Sequence, residues 1–400
     1  MKKGSKKKYR KKIVCLLSIM VLIMLLGAGS AYIFIRQKIY VAPKENNPLN
    51  MNIDHQVPHE NEITEKEKND DVEDIKEERS KTKEEMKYEE QKGITNILLI
   101  GTDGRSVNEK ARSDSIIIAT IDDNNKNVKL TSIMRDSYVE IKGYKSQKIN
   151  ASFALGGPEL LMDTIERNFK IKLDKYVIVN FWGFQDIVNS LGGIELDIKD
   201  YEIAEMNKFI GEVNKSKSPK IKKAGLQHLD GQQTLAYTRI RHVGNGSYER
   251  NLRQRQVLSG IASKIKDTSI FQYPSLLSNI LPHIKTNIEP ASIMNYTYTI
   301  FKFKPLEVKQ LQIPLTDLSE GRIYKGTWVF LMDREQNGRV LNDFVFKNTI
   351  TQKEKLNLAD FKRKLNDYLR AERKVNRTVK YQEDKESIEP YESDHGQNLY

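Results

Sequence analysis

Four hundred residues with a net charge of +12 and a single cysteine, Cys15, exclude a disulfide-built fold and any thiolate chemistry beyond the N-terminal segment. Six scattered histidines without HExxH-type spacing argue against a zinc hydrolase. The charge is segregated: residues 1–12 hold eight basic residues and no acid, residues 41–92 hold nine basic and sixteen acidic ones, and the rest of the chain is basic in its own right.

Ile13 to Ile35 is a run of 23 residues without a charge. As a helix it spans roughly 34 Å, enough to cross a hydrocarbon core. The basic cluster before it predicts a cytoplasmic N-terminus and an extracellular remainder. A cleaved signal peptide is the rival reading, because Ala28-Gly29-Ser30-Ala31 offers small residues. The apolar run continues past them through Tyr32-Ile33-Phe34-Ile35, longer than a signal core. The expected organisation is therefore a cytoplasmic tail over 1–12, a transmembrane helix over 13–35 and a charged linker over 36–92. A folded domain over 93–346 follows, then a polar tail over 347–400, helical around Lys355 to Lys374 and disordered from Lys380 onward. The linker lacks apolar periodicity and cannot fold by itself.

Order begins near Gly93. Ile94 to Gly101 reads as a buried strand, Ser115 to Asp122 as a second and Asn127 to Met134 as a third, with Asp123-Asn124-Asn125 as a turn. Gly157-Pro158 opens a helix through Phe169. Tyr176 to Val179 is a strand, Trp182 to Leu191 helical, and Gly193 to Leu196 a strand. Leu229 to Thr238 and Arg250 to Ile265 read as helices. The alternation predicts an α/β fold with a mixed central β-sheet sandwiched by helices.

Charged residues gather at the ends of these elements. Gly101-Thr102-Asp103-Gly104-Arg105 follows the first strand, where open α/β sheets place ligands. Arg112-Ser113-Asp114 precedes the second, and Arg135-Asp136 closes the third. Asp103 and Asp114 can converge on one hard cation if their strands are neighbours. Lys148-Ile149-Asn150-Ala151-Ser152 leads into a helix, where a plain turn is an equal reading. Arg239 and Arg241 alternate, as on an extended segment with both guanidiniums on one side. Gly244 to Ser247 reads as a turn. Arg250, Arg253 and Gln254 share a helix face, and Arg255 reads as part of a solvated basic surface. Arginine grips phosphate oxygens as a planar fork, so this density points to a multiply charged phosphate ligand.

Gly-x-Asp-x-Arg, Arg-Ser-Asp, Ser-Ile-x-Arg-Asp, Lys-Ile-Asn-Ala-Ser, Leu-x-Gly-x-x-x-Leu-x-Tyr-x-Arg-x-Arg and Arg-x-x-Arg-Gln occur in this order over residues 93–260. This series resembles the LytR-CpsA-Psr family. The resemblance implies a membrane-anchored phosphotransferase that moves an anionic glycopolymer, teichoic acid or capsular polysaccharide, from an undecaprenyl-pyrophosphate carrier to peptidoglycan. It implies Mg²⁺ (or Mn²⁺) on Asp103 and Asp114. Pyrophosphate would lie on Arg105, Arg112, Arg135, Arg239, Arg241, Arg250 and Gln254. Arg135, Arg239, Arg241 and Asp136 would be the catalytic set. The family's lipid tunnel would be lined by Phe153, Leu160, Ile165, Phe169, Val179, Phe181 and Phe184, which read equally well as core. Ser247 stands where the family often has Asp, leaving Glu249 and Asp136 as candidate bases, and Met134 replaces a frequent Pro. Two other readings are a lipid pyrophosphate hydrolase on the same site and a membrane-bound regulator without catalysis. Nucleic acid is not expected as a partner, because the basic domain is placed outside the cell and lacks aromatic–basic interleaving.

Overall fold

The computed structural model describes residues 40–41, 90–104, 111–213, 217–269 and 278–386, with side chains through residue 375. The expected membrane span 13–35 and nearly all of the linker lie outside the described residues. Among the described residues, no helix is long and apolar enough to cross a membrane.

Six strands form one mixed sheet in the order β10-β3-β2-β1-β6-β9. β1 (Ile94–Thr102), β2 (Ser113–Asp122) and β3 (Asn127–Ile133) make an antiparallel meander. After β4 (Tyr138–Val139) and β5 (Gln147–Lys148), helix α1 (Ile149–Phe169) leads to β6 (Tyr176–Asn180), parallel to β1. Later in the chain, β9 (Ile284–Thr286) adds antiparallel to β6, and β10 (Glu307–Ile313) parallel to β3.

The isoleucines of β2 explain the layering. Successive side chains on a strand face opposite sides. Ile116 and Ile118 therefore enter one core, and Ile117 and Ile121 another. β1 does the same with Leu98 and Ile100 against Ile97 and Leu99. The first core is closed by α1 and by α7 (Arg334–Phe346). The second is covered by α6 (Pro290–Phe301) and α5 (Gly246–Asp267). A satellite core joins α2 (Phe181–Ser190), α3 (Asp200–Phe209), α4 (Gly231–Arg239) and α5 with the hairpin of β7 (Ile194–Ile198) and β8 (Gly225–Leu229).

Several elements differ from the sequence reading. α1 starts at Ile149, directly after β5, and bends at Gly156-Gly157 before Pro158. Gly157 has φ +69°, open to glycine and costly for other residues. The strand expected near Gly193 pairs with β8 in its own two-stranded sheet. Leu229 ends β8, so α4 begins two residues later behind an Asp230–Gln233 capping box. Gly246 and Ser247 already belong to α5. At the other end, β11 (Ser319–Tyr324) and β12 (Thr327–Met332) form a hairpin. Helix α8 (Leu358–Glu386) brings Leu365 and Tyr368 against its buried face.

α2 and α4 approach so closely that a Cβ on Gly231 would stand 2.3 Å from the Gln185 carbonyl oxygen. Gly231→Ala is expected to cost about 2 kcal/mol or more, because backbone must move. Its urea midpoint should fall accordingly, and an unchanged midpoint would mean that the helices part freely.

Candidate functional site

The ends of β1 and β6 and the start of β2 meet α2, the end of α4 and the start of α5 around a cavity of about 420 Å³. Its interior is apolar, with Leu99, Ile117, Val179, Phe181 and Phe184 among the lining residues. Its mouth is charged, with Asp103, Asp114, Arg239, Arg241, Arg250 and Gln254. The meander puts Asp103 beside Asp114, since Thr102 pairs with Ser113 across the bulge that ends the β1–β2 ladder. Gly104 N donates to Thr102 Oγ1 at 3.1 Å, tightening the turn after β1.

Asp114 organises the mouth. It accepts a short bond from Arg135 Nη1 and lies 3.8 Å from Arg241 Nη2. Arg135 also reaches Asp136 at 3.5 Å, and Lys148 holds that carboxylate at 2.9 Å. Burial, and then the charge of Asp114, push the Asp103 carboxyl above the usual range. Two neighbouring carboxylates set among guanidiniums fit a hard divalent cation.

Arg250 is 4% exposed and, among the described residues, has no ion-pair or hydrogen-bond partner; its Nε is buried without an acceptor. Burial, helped by Arg135 and Arg241, lowers its guanidinium to about 10. It stays cationic at neutral pH. Burial and Arg135 lower Arg241 as well. Arg239 sits differently: its guanidinium lies 5.0 Å from the Phe181 ring and 4.9 Å from Phe209, and forms an ion pair with Glu212 at 2.8 Å. The fold thus holds three guanidiniums closer together than their charges favour, ready for an anion.

The sequence reading is met unevenly. Asp103, Asp114, Arg135, Arg239, Arg241, Arg250 and Gln254 come together. Arg239 ends α4 and the chain turns extended at the buried Ile240 (φ −56°, ψ 126°), so that Arg239 and Arg241 both line the cavity, though no strand forms there. Arg112 is exposed and does not line the cavity, and Arg105 lies outside the described residues. Val179, Phe181 and Phe184 line the cavity. Phe153, Leu160, Ile165 and Phe169 do not: they pack in or against the core on the opposite face of the sheet. Glu249 accepts from Asn245 N at 2.9 Å and from Arg253 Nη2 at 2.7 Å, so it braces the loop rather than facing the cavity. Asp136 does not line the cavity either. Arg255 is 6% exposed, not solvated: its Nε donates to Gln310 at 3.1 Å and burial lowers it to about 10. Phe209, Glu212 and His242 are site residues that no spacing in the sequence announces.

Fold and site together define an α/β protein with a cationic mouth over an apolar cavity, the form suited to an amphiphile with an anionic head. The chain belongs to the LytR_cpsA_psr family, whose profile matches residues 59–344. It is 35% identical over 212 residues to the polyisoprenyl-teichoic acid–peptidoglycan teichoic acid transferase TagU of Bacillus cereus, covering 52% of this chain and 65% of that one. The matched part thus spans just under two thirds of that relative. It is 31% identical over 231 residues to the regulatory protein MsrR of Staphylococcus aureus, covering 57% and 67%. A solved structure of the Bacillus subtilis protein YwtF (TagT) with bound octaprenyl pyrophosphate lipid aligns with TM-score 0.50 and 27% identity, covering 65% of this chain and 95% of that one.

Proposed function

We propose that this chain is a membrane-anchored extracellular phosphotransferase that moves an anionic glycopolymer, of teichoic acid or capsular type, from an undecaprenyl-pyrophosphate carrier to peptidoglycan. The observation that carries the reading is the buried Arg250, without an ion-pair or hydrogen-bond partner among the described residues, beside Arg241 and Arg239 at the mouth of a cavity whose interior is apolar. The guanidiniums would hold the two phosphates, and the apolar lining would take the lipid. The uncharged run 13–35 would keep the site beside its lipid donor. The names of the relatives, and the lipid pyrophosphate in the TagT structure, support the same chemistry.

In the proposed step, a hydroxyl oxygen of the acceptor forms a bond to the sugar-bearing phosphorus. The bond from that phosphorus to the bridging oxygen breaks, and the lipid leaves as a monophosphate with the electron pair. The hydroxyl proton passes to water at the open mouth. Arg241 and Arg250 neutralise the charge that grows on the departing phosphate, which is what phosphoryl transfer asks of a protein. Asp114 keeps Arg135 and Arg241 pointed at the mouth. Asp136 holds Arg135 from behind, backed by Lys148. Asp103 and Asp114 would hold Mg²⁺ or Mn²⁺, which supplies further charge neutralisation at the phosphate oxygens when bound.

The test is an assay with lipid-linked polymer, with and without peptidoglycan. Polymer joined covalently to peptidoglycan, with release of lipid monophosphate, is the expected result. Free polymer phosphate as the sole product, with or without acceptor, would replace transfer by hydrolysis, and no turnover of any kind would remove the enzymatic reading.

A further inference from the structure

The β11–β12 hairpin has two unlike faces. Tyr324, Val329 and Leu331 are buried on one, against Tyr138, Leu365 and Tyr368. The other carries Ile323 and Trp328, opposite each other in register, 65% and 51% exposed. Exposed apolar side chains grouped in this way mark a contact surface. Behind Trp328 stands Phe330, ring centroids 6.5 Å apart and edge-on, and behind Phe330 stands Tyr248 at 5.6 Å. Gly321 makes room for the rings. A Cβ there would meet Trp328 Cζ2 at 3.0 Å and Phe330 Cε1 at 3.1 Å. The aromatic row is therefore held rigidly, with half of the indole left in solvent.

The row is joined to the reacting centre. Phe330 N donates to the Asp136 carbonyl at 2.9 Å, one residue from Arg135, and Tyr248 lies in the first turn of α5, two residues before Arg250. Along α5, Tyr248 comes first, Arg250 and Gln254 follow at the charged mouth, and Val257 and Leu258 lie deeper on the apolar cavity, whose strand lining comes from β1, β2 and β6. The hairpin thus stands across the charged mouth from the space proposed for the lipid.

We propose that Trp328, backed by Phe330 and Tyr248, is a ledge on which a sugar ring of the saccharide acceptor stacks, which rests on the phosphotransferase reading above. A pyranose ring offers one largely apolar C–H face, and a fixed indole matches it at small entropic cost. The acceptor is the saccharide favoured here, not the polymer on the donor. Attacking and leaving oxygens lie roughly in line in phosphoryl transfer. With the lipid phosphate leaving toward the cavity, the attacking hydroxyl must come from the opposite side, where the ledge is.

The test uses the full chain in detergent with Trp182→Phe, which leaves Trp328 as the sole indole. A soluble glycan-strand tetrasaccharide of peptidoglycan, added without donor, is expected to change the Trp328 fluorescence saturably. In transfer assays Trp328→Ala should raise the acceptor KM roughly five- to tenfold, with the donor KM held, and Trp328→Tyr should recover most of the loss. Absence of a fluorescence response, an acceptor KM indifferent to Trp328→Ala, or an effect confined to the donor KM would overturn the ledge. So would sedimentation showing a dimer that Trp328→Ala dissociates, since the face would then cover a second copy. The two readings fail separately. A chain that binds glycan without transferring keeps the ledge and loses the phosphotransferase, and a chain that transfers regardless of Trp328 does the reverse.

Discussion

Arg250→Met is expected to weaken binding of a polyprenyl pyrophosphate by about a hundredfold and, in the same protein without ligand, to raise the midpoint of thermal unfolding. Both effects follow from one fact. Arg250 is 4% exposed with no ion-pair or hydrogen-bond partner among the described residues, and burial together with the cations Arg135 and Arg241 outweighs the pull of Asp114 and Asp136 on it. A buried charge that its carboxylate neighbours do not fully offset destabilises the fold. Methionine fills similar space without that charge, so a gain of about 1 kcal/mol or more is expected. The sign with pH is fixed by the lowered guanidinium. The penalty is complete below a pH of about 10 and fades above it, where the folded chain gives up its proton before the unfolded one does. Saturating pyrophosphate lipid should reverse the order of the two midpoints, since only the wild type gains binding energy. Calorimetry of both proteins with and without the lipid checks this. A methionine variant that binds equally well, or melts lower without ligand, would show that Arg250 is structural.

The sequence revealed the strands and the arginines more readily than the walls between them. β1, β2 and β3 could be read because their apolar runs are continuous and end at charged or glycine residues, the pattern of strands covered on both faces. Asp103 and Asp114 could be read as neighbours because strand ends collect at one edge of such a sheet, and it is the family resemblance that adds Arg135, Arg241 and Arg250 to them. Periodicity along α1 shows that the helix has an apolar side, but not which face of the sheet receives it. For that reason Phe153, Leu160, Ile165 and Phe169 read equally as tunnel or core from the sequence, and the structure puts them in the core on the other face of the sheet. The same limit hid Arg255. Its acceptor Gln310 belongs to β10, 55 residues away, and nothing near Arg255 in the chain signals that strand. Phe209, which stacks on Arg239 from the end of α3, was equally out of reach.

Arg253→Ala is expected to be the most destabilising single change at the site, by about 3–5 kcal/mol. The side chain is 2% exposed. Its Nε donates to Glu202 at 2.6 Å, its Nη2 to Glu249 at 2.7 Å and its Nη1 to the Ile240 carbonyl at 3.3 Å. Glu202 is itself 3% exposed, and its other oxygen caps α3 by accepting from Lys199 N at 2.9 Å. Alanine would leave that carboxylate buried without a counter-charge, which costs more than the original pair contributes. The double variant Glu202→Gln with Arg253→Met should therefore recover most of the loss. The consequence for function runs through the loop. Arg253 fixes Ile240, and Glu249 fixes Asn245, so together they set both ends of the segment that carries Arg241. In the fraction of Arg253→Ala that stays folded at low temperature, Arg241 should wander from Asp114, and pyrophosphate affinity should fall by less than in Arg250→Met. Guanidinium unfolding measures the first effect and lipid binding at low temperature the second. A loss of stability below about 1 kcal/mol, or a double variant no better than the single one, would mean that the buried carboxylate finds its charge elsewhere.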